Sequence, residues 1–413
     1  MTYSPPDGTR FVPPDAAQAR ARALAALREL YSSWGYQPVE VPALERYVPE
    51  HPRAAQSFKL SDRDSGVLAL RTDFTPALAQ LVRTSYPAVA DGERRALRFC
   101  YAGTVWHAIH PELARTREFT QVGLELIGIS HARADAEIIH LARESVRAVG
   151  LVPRVEVGNP AFVRAAFDAA EVPAPHRDAL ADAIDRKDRS DIASVLDDLE
   201  VRGRAAEALM SAPDLYGGVE VLDEARRVAP SDDARAAIDR LEGVVAEFED
   251  DSELQLDLGM ARRLSYYTGV TFRAYTLDFG QPLLGGGRYD GALLPYAAGF
   301  SLGLERLLSA LPAPGPATAP EVLAIDDPGA RTLRAAGVVV ARAIAVEVEA
   351  ATQEARALGV PFLLVDGEIR SVGGRGPVPE GHGDVDREVE EDRDVLAARR
   401  SVLAALLGGG RGE

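Results

Sequence analysis

Across residues 98–128 apolar and polar positions alternate with a period of two, and the alternation breaks once in the middle. The stretch RFCYAGTVWHAIHPELARTREFTQVGLELIG predicts a strand, a long turn at about 108–116 that carries the proline, and a second strand. In the second arm Phe119, Gln121, Gly123 and Glu125 share one face, while Thr120, Val122, Leu124 and Leu126 share the other. The apolar set is ordinary core. The first set spaces two polar acceptors roughly 13 Å apart along the strand. Gly123 lies between them and predicts a bare floor for a small cationic group. Gln and Glu amid an apolar strand cost stability unless something satisfies them. A sheet face open to water is the plainer alternative.

Helical and strand periods alternate around this hairpin. An Ala-rich helix is expected from an Asp15 N-cap to about Ser33, with Leu24, Leu27, Leu30 and Tyr31 as its stripe. Strand-like pieces at 57–60 and 67–70 form a hairpin that delivers RTDFTP (71–76) to a helix at 77–84. Asp73 and Thr75 read most simply there as helix caps. A helix at about 133–149 and a strand at 151–158 follow. The pattern is then helical to about Phe248, returns to a strand at 253–258, and ends in a helix at 300–311.

Strands on both sides of a helical run predict one mixed sheet interrupted by a subdomain, an α+β chain. Residues 1–158 with 253–312 make the core, and 159–252 an all-helical insert. Residues 313–320 form a Pro/Ala/Gly-rich linker, 321–370 a small α/β domain, and 371–413 a Gly-rich and acidic tail with a terminal helix.

Composition narrows the function. Hydrophobic content of 46% and charged content of 26% fit a globular chain without a membrane partner. No apolar signal core opens the sequence, so a cytoplasmic location is expected. Its one cysteine, Cys100, rules out an internal disulfide and a cysteine-rich metal site, and reads as a small buried hydrophobe. Neither a metal nor a cofactor is expected. A net charge of −17 argues against a broad nucleic-acid surface. Residues 321–413 carry 17 acidic residues against 11 arginines and no lysine, a poor surface for RNA. Lys59 and Lys187 are the only lysines, so an arginine here means little unless a motif places it. The run DRKDRSD (185–191) reads as a solvated helix end and turn.

Taken together and in order, the motifs resemble the class II aminoacyl-tRNA synthetases, and among them histidyl-tRNA synthetase. The resemblance covers about residues 5–312. GYQPVEVPALE (35–45) is similar to the dimer-interface motif 1, residues 98–128 to motif 2, and GFSLGLERL (299–307) to motif 3. ARRLSYYTG (261–269) and GGGRYDG (285–291) resemble the two segments that line the family's histidine pocket. The resemblance implies an antiparallel sheet flanked by helices. It also implies a histidine site in which Asp73, Thr75, Gln121 and Glu125 hold the α-ammonium. Tyr266, Tyr267 and Tyr289 would line the imidazole, and Arg262 would meet the carboxylate.

The departures fall on the ATP side. Where the family has the motif 2 arginine that meets the α-phosphate, this chain has His107, and the second basic position is His110. A neutral imidazole does not replace a bidentate guanidinium, and losing such a contact typically costs about 3–4 kcal/mol of transition-state stabilisation. Arg306 of motif 3 remains, while Arg263 and Ser265 stand where the family has Gly and Asp. A kept amino-acid pocket beside a degenerate ATP site resembles the regulatory subunits of ATP phosphoribosyltransferase. ALADAIDRKD (179–188) and APDLYGG (212–218) look like their insert segments. That resemblance implies a chain without catalytic residues of its own. Its expected partners are a short-form catalytic subunit, a second copy through motif 1, and histidine as ligand, with tRNA not among them. The alternative is an active histidyl-tRNA synthetase.

Overall fold

The computed structural model describes residues 4–49, 53–64, 66–109, 116–249, 252–261, 267–313, 315, 319–372, 399–403 and 405–406. The chain divides into two compact units, Met1–Pro314 and Gly315–Glu413. In the first unit the strands are β1 (Gln37–Pro38), β2 (Leu44–Arg46), β3 (Lys59–Asp62), β4 (Gly66–Leu70), β5 (Leu97–Trp106) and β6 (Glu118–Ile127). They continue as β7 (Arg154–Gly158), β8 (Tyr216–Gly217), β9 (Leu254–Asp257), β10 (Thr271–Thr276), β11 (Phe279–Arg288) and β12 (Ala297–Gly303).

Among the described residues, nine of these strands form one sheet in the order β1-β5-β6-β12-β11-β10-β7-β9-β8, while β2, β4 and β3 form a smaller one. The sheet is mixed, as expected: its central strands β5, β6, β12, β11 and β10 run antiparallel, while β1 pairs with β5 and β7 with β9 in parallel. The predicted hairpin is present, with Gly103 opposite Gln121, Tyr101 opposite Gly123 and Phe99 opposite Glu125. On the other side of β6, β12 places Gly299 opposite Glu125 and Ser301 opposite Gly123.

The period of two sorts the sheet into two chemistries. Cys100, Val122, Leu124, Leu126, Phe272 and Phe300 are buried on one face in a single core cluster. Helices Pro14–Ser33 and Ala132–Ala148 cover that face with Leu27, Tyr31, Ile138, Ile139 and Leu141. The other face carries the polar row and packs on a separate cluster around Phe74, Tyr101 and Tyr289.

Three local expectations change. Pro13 rather than Asp15 is the N-cap of the first helix, and Pro14 takes its first position, where a missing N–H costs nothing. The last helix spans only Leu304–Ser309, because Phe300–Gly303 completes β12. A two-residue strand, β8, interrupts the otherwise helical stretch after β7 and pairs with β9. The 185–191 run is a turn between helices, with Asp188 capping the second by accepting from Asp191 N.

The second unit has strands β13 (Val322–Ala324), β14 (Val340–Arg342), β15 (Phe362–Val365) and β16 (Glu368–Ser371), ordered β14-β13-β15-β16. Helices Asp327–Ala335 and Val348–Ala357 pack on it, giving an apolar cluster on each face of the sheet. Among the described residues no helix is long and apolar enough to cross a membrane.

Candidate functional site

Glu125 sits in mid-strand on β6, 2% exposed, with every neighbour supplied by a different element. Thr75, at the start of helix Thr75–Ser85, donates from its hydroxyl to Oε1 at 2.9 Å. Tyr289, just after β11, donates to Oε2 at 2.6 Å. The seat exists because Gly299 lies opposite on β12. A Cβ there would stand 2.0 Å from Oε2 and 2.4 Å from the Leu124 carbonyl oxygen. Burial pushes the Glu125 carboxyl up to about 8 and the Asp73 charge adds to this, while the Tyr289 and Thr75 hydrogen bonds pull it down. A carboxyl in that condition is mostly protonated at neutral pH. It is stabilised as an anion once a cation comes beside it.

Asp73 and Gln121 form the second half of the site. The Gln121 amide nitrogen donates to Asp73 Oδ1 at 3.1 Å, and Thr75 N donates to the same oxygen at 3.2 Å. Neither Asp73 nor Thr75 is the helix cap that the sequence suggests: Phe74 holds the N-cap position with no side-chain cap, Thr75 is the first helical residue, and Asp73 just before it faces Gln121 as well. Gln121 is 6% exposed, and among the described residues its Oε1 has no hydrogen-bond partner. A buried amide oxygen without a donor costs about 1–3 kcal/mol, a debt that a ligand N–H removes. Asp73, Thr75, Gln121, Glu125 and Tyr289 are therefore in one connected network. Tyr267 packs beside them against the cluster containing Tyr289 and Leu294.

The bare floor at Gly123 is not there. Tyr101, opposite on β5, lies across it: a Cβ on Gly123 would be 2.5 Å from the Tyr101 hydroxyl. The ring of Tyr101 stacks on Phe74 with centroids 4.5 Å apart and planes 6° apart. Gly123 clears room for a tyrosine, so the strand itself offers no bare floor.

At the other end of the hairpin, His107 follows β5. Its Nε2 lies 2.9 Å from the Thr72 carbonyl oxygen, which requires the proton on that nitrogen. Burial lowers the imidazole pKa and outweighs the Thr72 carbonyl, which raises it, while the Arg53 charge lowers it and the Asp73 charge raises it; the net shift is downward and favours the neutral ring. Its ring meets Phe119 edge-on at 5.1 Å. The Arg53 Nη2 is 3.4 Å from Asp73 Oδ2, and its Nη1 is 3.4 Å from His107 Nε2. Sequence reasoning missed Arg53: it stands 54 positions from His107 in an unremarkable turn, and no periodicity marks it.

Arg71 was also unassigned. It is buried, donates to the carbonyls of Thr104 at 2.9 Å and Val41 at 2.6 Å, and fixes the 71–75 segment on β5. Arg306 is exposed on helix Leu304–Ser309 and donates to the Pro282 carbonyl at 3.2 Å. His110, Arg262 and Tyr266 lie outside the described residues. Among the described residues no group of three or more His, Cys, Asp or Glu side chains is arranged to hold a metal.

The mixed sheet, its glycine-cleared carboxylate and the facing tyrosine define a protein of the class II synthetase-like fold. A family model described as histidyl-tRNA synthetase matches residues 8–307. The ATP phosphoribosyltransferase regulatory subunit of Thermus thermophilus is 47% identical over 322 residues, 78% of this chain and 87% of that protein. Its counterpart from Deinococcus radiodurans is 42% identical over 375 residues, 90% of this chain and 91% of that one. A crystal structure from Bacillus halodurans, described as an ATP phosphoribosyltransferase regulatory subunit/histidyl-tRNA synthetase, aligns with a TM-score of 0.74 at 26% identity. It covers 86% of this chain and 97% of that one. The chain belongs to the family of ATP phosphoribosyltransferase regulatory subunits.

Proposed function

We propose that this chain is a regulatory and activating subunit that binds histidine and does not itself activate it. Its partner is a short-form ATP phosphoribosyltransferase catalytic subunit, and the complex condenses ATP with phosphoribosyl pyrophosphate in the first step of histidine biosynthesis. A second copy joins through the motif 1 region, 35–45. The core, 1–158 with 253–312, carries the pocket.

One observation carries the ligand reading. A buried carboxyl, Glu125, stands with a second acid and an orphaned amide oxygen, Gln121 Oε1, in one network. An ammonium group supplies the missing donor and the missing positive charge together. Tyr267 and Tyr289 offer hydroxyls to an imidazole, with Tyr266 beside them in sequence and Arg262 for the carboxylate. The non-catalytic reading is supported by a neutral His107 where amino-acid activation needs a fixed cation, and by His110 at the second basic position. Arg306 remains as the surviving motif 3 cation of this degenerate ATP site.

Feedback follows from linkage. Histidine inhibits the complex to the extent that it binds this subunit more tightly in an inactive assembly than in an active one. The test is a pair of assays on the purified chain. Calorimetry detects histidine binding, whereas histidine-dependent exchange of pyrophosphate into ATP stays at background. Robust exchange overturns the reading in favour of an active histidyl-tRNA synthetase.

A further inference from the structure

We propose that Arg240 is a positioning residue of this pocket. Acting through Asp135 and Arg288, it holds Tyr289 against Glu125, so the seating of helix Asp232–Val245 sets how tightly the pocket binds. This rests on the amino-acid reading of the pocket and deepens it by naming what regulates the site.

Neighbours along a strand point to opposite faces, and residues 288–290 use both. Tyr289 packs in the pocket-side cluster and donates to Glu125 Oε2 at 2.6 Å. Arg288 and Asp290, on either side of it, join a set of charges on the side covered by helix Ala132–Ala148. Arg288 Nε donates to Asp135 Oδ1 at 2.7 Å. Its Nη1 donates to Asp290 Oδ1 at 2.7 Å and to the Ile129 carbonyl at 3.0 Å. Asp290 also accepts from Ala297 N and from the Ser130 hydroxyl, both at 2.9 Å. Both chain neighbours of Tyr289 are clamped, and the clamp fixes the ring between them.

The outer member of the set comes from another layer. Arg240, on helix Asp232–Val245 in the helical stretch after β7, donates from Nε to the second oxygen of Asp135, Oδ2, at 2.7 Å. Its side chain is 25% exposed, whereas those of Asp135 and Arg288 are buried. The two helices meet closely here. A Cβ on Gly243 would stand 3.1 Å from the Cβ of Ala132, and Arg133 pairs with Glu247 at 3.1 Å just past the helix end. Within the set, Arg240 and Arg288 balance Asp135 and Asp290. Without Arg240, two carboxylates face one guanidinium, and burial makes that imbalance costly. Arg288 has to answer it, and Arg288 is bonded in the chain directly to Tyr289. Shifting helix Asp232–Val245 withdraws the same guanidinium, so a partner or ligand that moves this helix reaches the pocket.

Glu125 reports the outcome. It meets Tyr289, Thr75 and the Asp73 charge, and the Tyr36 phenol senses its charge as well. The Tyr289 bond pulls its pKa down, so a loosened Tyr289 lets it rise.

The experiment is calorimetry with histidine on the full-length chain, in a cycle of wild type, Arg240→Ala, Tyr289→Phe and the double variant. Arg240→Ala should weaken histidine roughly 3- to 30-fold. In the Tyr289→Phe background the same substitution should cost less than about twofold, because the bond it acts on is already gone. Arg240→Lys, which keeps the charge without the fork, should recover part of the loss. If Arg240→Ala does not fold, Arg240→Gln, which keeps a donor for Asp135, takes its place in the cycle. A second readout needs no ligand: thermal stability against pH, each protein compared with its Glu125→Gln counterpart. The Glu125 contribution is lost as pH rises through its pKa, and the pH of that loss should be higher in Arg240→Ala than in wild type. An equal effect in both backgrounds, none included, or an unmoved pH of loss overturns the positioning and leaves the pocket reading standing. Failure of wild type to bind histidine overturns the pocket reading, and the pH readout then decides the positioning by itself.

Discussion

The two ends of the polar face of the β5–β6 hairpin are built from the same pair of strands, yet they handle charge in opposite ways. At the Glu125 end the acid is sealed, and both of its oxygens are engaged by hydroxyls from other elements. At the His107 end burial lowers the imidazole pKa, and a half-exposed guanidinium, Arg53, reaches in from a turn. At the sealed end the acid is held by hydroxyls, while at the open end a guanidinium, Arg53, pairs with Asp73. A site that recognises an ammonium needs the first property. One that stabilises charge on a transferring phosphate needs a fixed cation at the second, and the residue that follows β5 there is His107 rather than an arginine.

The comparison breaks most readily at the sealed end. Glu125→Ala should reduce histidine affinity about 100-fold or more, since it removes one partner of a buried, hydrogen-bonded charge pair. Titration calorimetry reads this directly, and unchanged binding would show that the sealed carboxyl is not the ligand's partner.

A smaller effect comes from pH. Glu125 sits near 8 in the empty protein, and an ammonium favours its ionised form. Binding should therefore release a proton, with affinity rising as pH climbs from about 6 toward 8 and levelling above that. Heats measured in buffers of different ionisation enthalpy count the proton. The same group affects stability. Its folded pKa lies above the ordinary 4.5, so its contribution is fully present below about 4.5 and is lost as pH rises through 8. Glu125→Gln should flatten both profiles and melt higher than wild type at about pH 8.5, with little difference at about pH 4.5. Equal slopes in the two proteins would assign the pH dependence elsewhere.

The smallest effect belongs to the open end. His107→Gln keeps a donor for the Thr72 carbonyl and should leave histidine affinity within about threefold of wild type. A large loss would mean that His107 touches the ligand, and the contrast between the two ends would then fail.

Much of this was legible in the chain. The period of two over 117–127 sorted Val122, Leu124 and Leu126 to the core and Gln121 and Glu125 to the opposite face, and the sheet keeps that division. The network joining Asp73, Thr75, Gln121, Glu125 and Tyr289 followed from resemblance, not from spacing. Pairing across strands was not legible. Which β5 residue stands over Gly123 depends on the register set by the turn, and that residue is Tyr101. Phe300–Gly303 is a short apolar run that fits a strand or a helix equally well, and only its place between β6 and β11 decides the matter. The parallel partners of β1 and β9 leave no local signal at all. Arg53 was invisible for a related reason: its significance lies in a contact with distant Asp73 and His107, while its own neighbours read as an ordinary turn.

The Glu125 seat has a consequence for the order in which the molecule comes together. Two of its essential pieces, Tyr289 and the cleared position at Gly299, enter the chain more than 150 residues after β6. Everything between has to be threaded in first, including the helical stretch after β7. A growing chain on the ribosome therefore has no pocket until β12 has docked beside β6. Any small molecule that binds there acts only on the finished sheet, pulling the last docking step forward by mass action. A ligand of this site doubles as a reporter of completed folding, and a chain stopped before β12 should be blind to it.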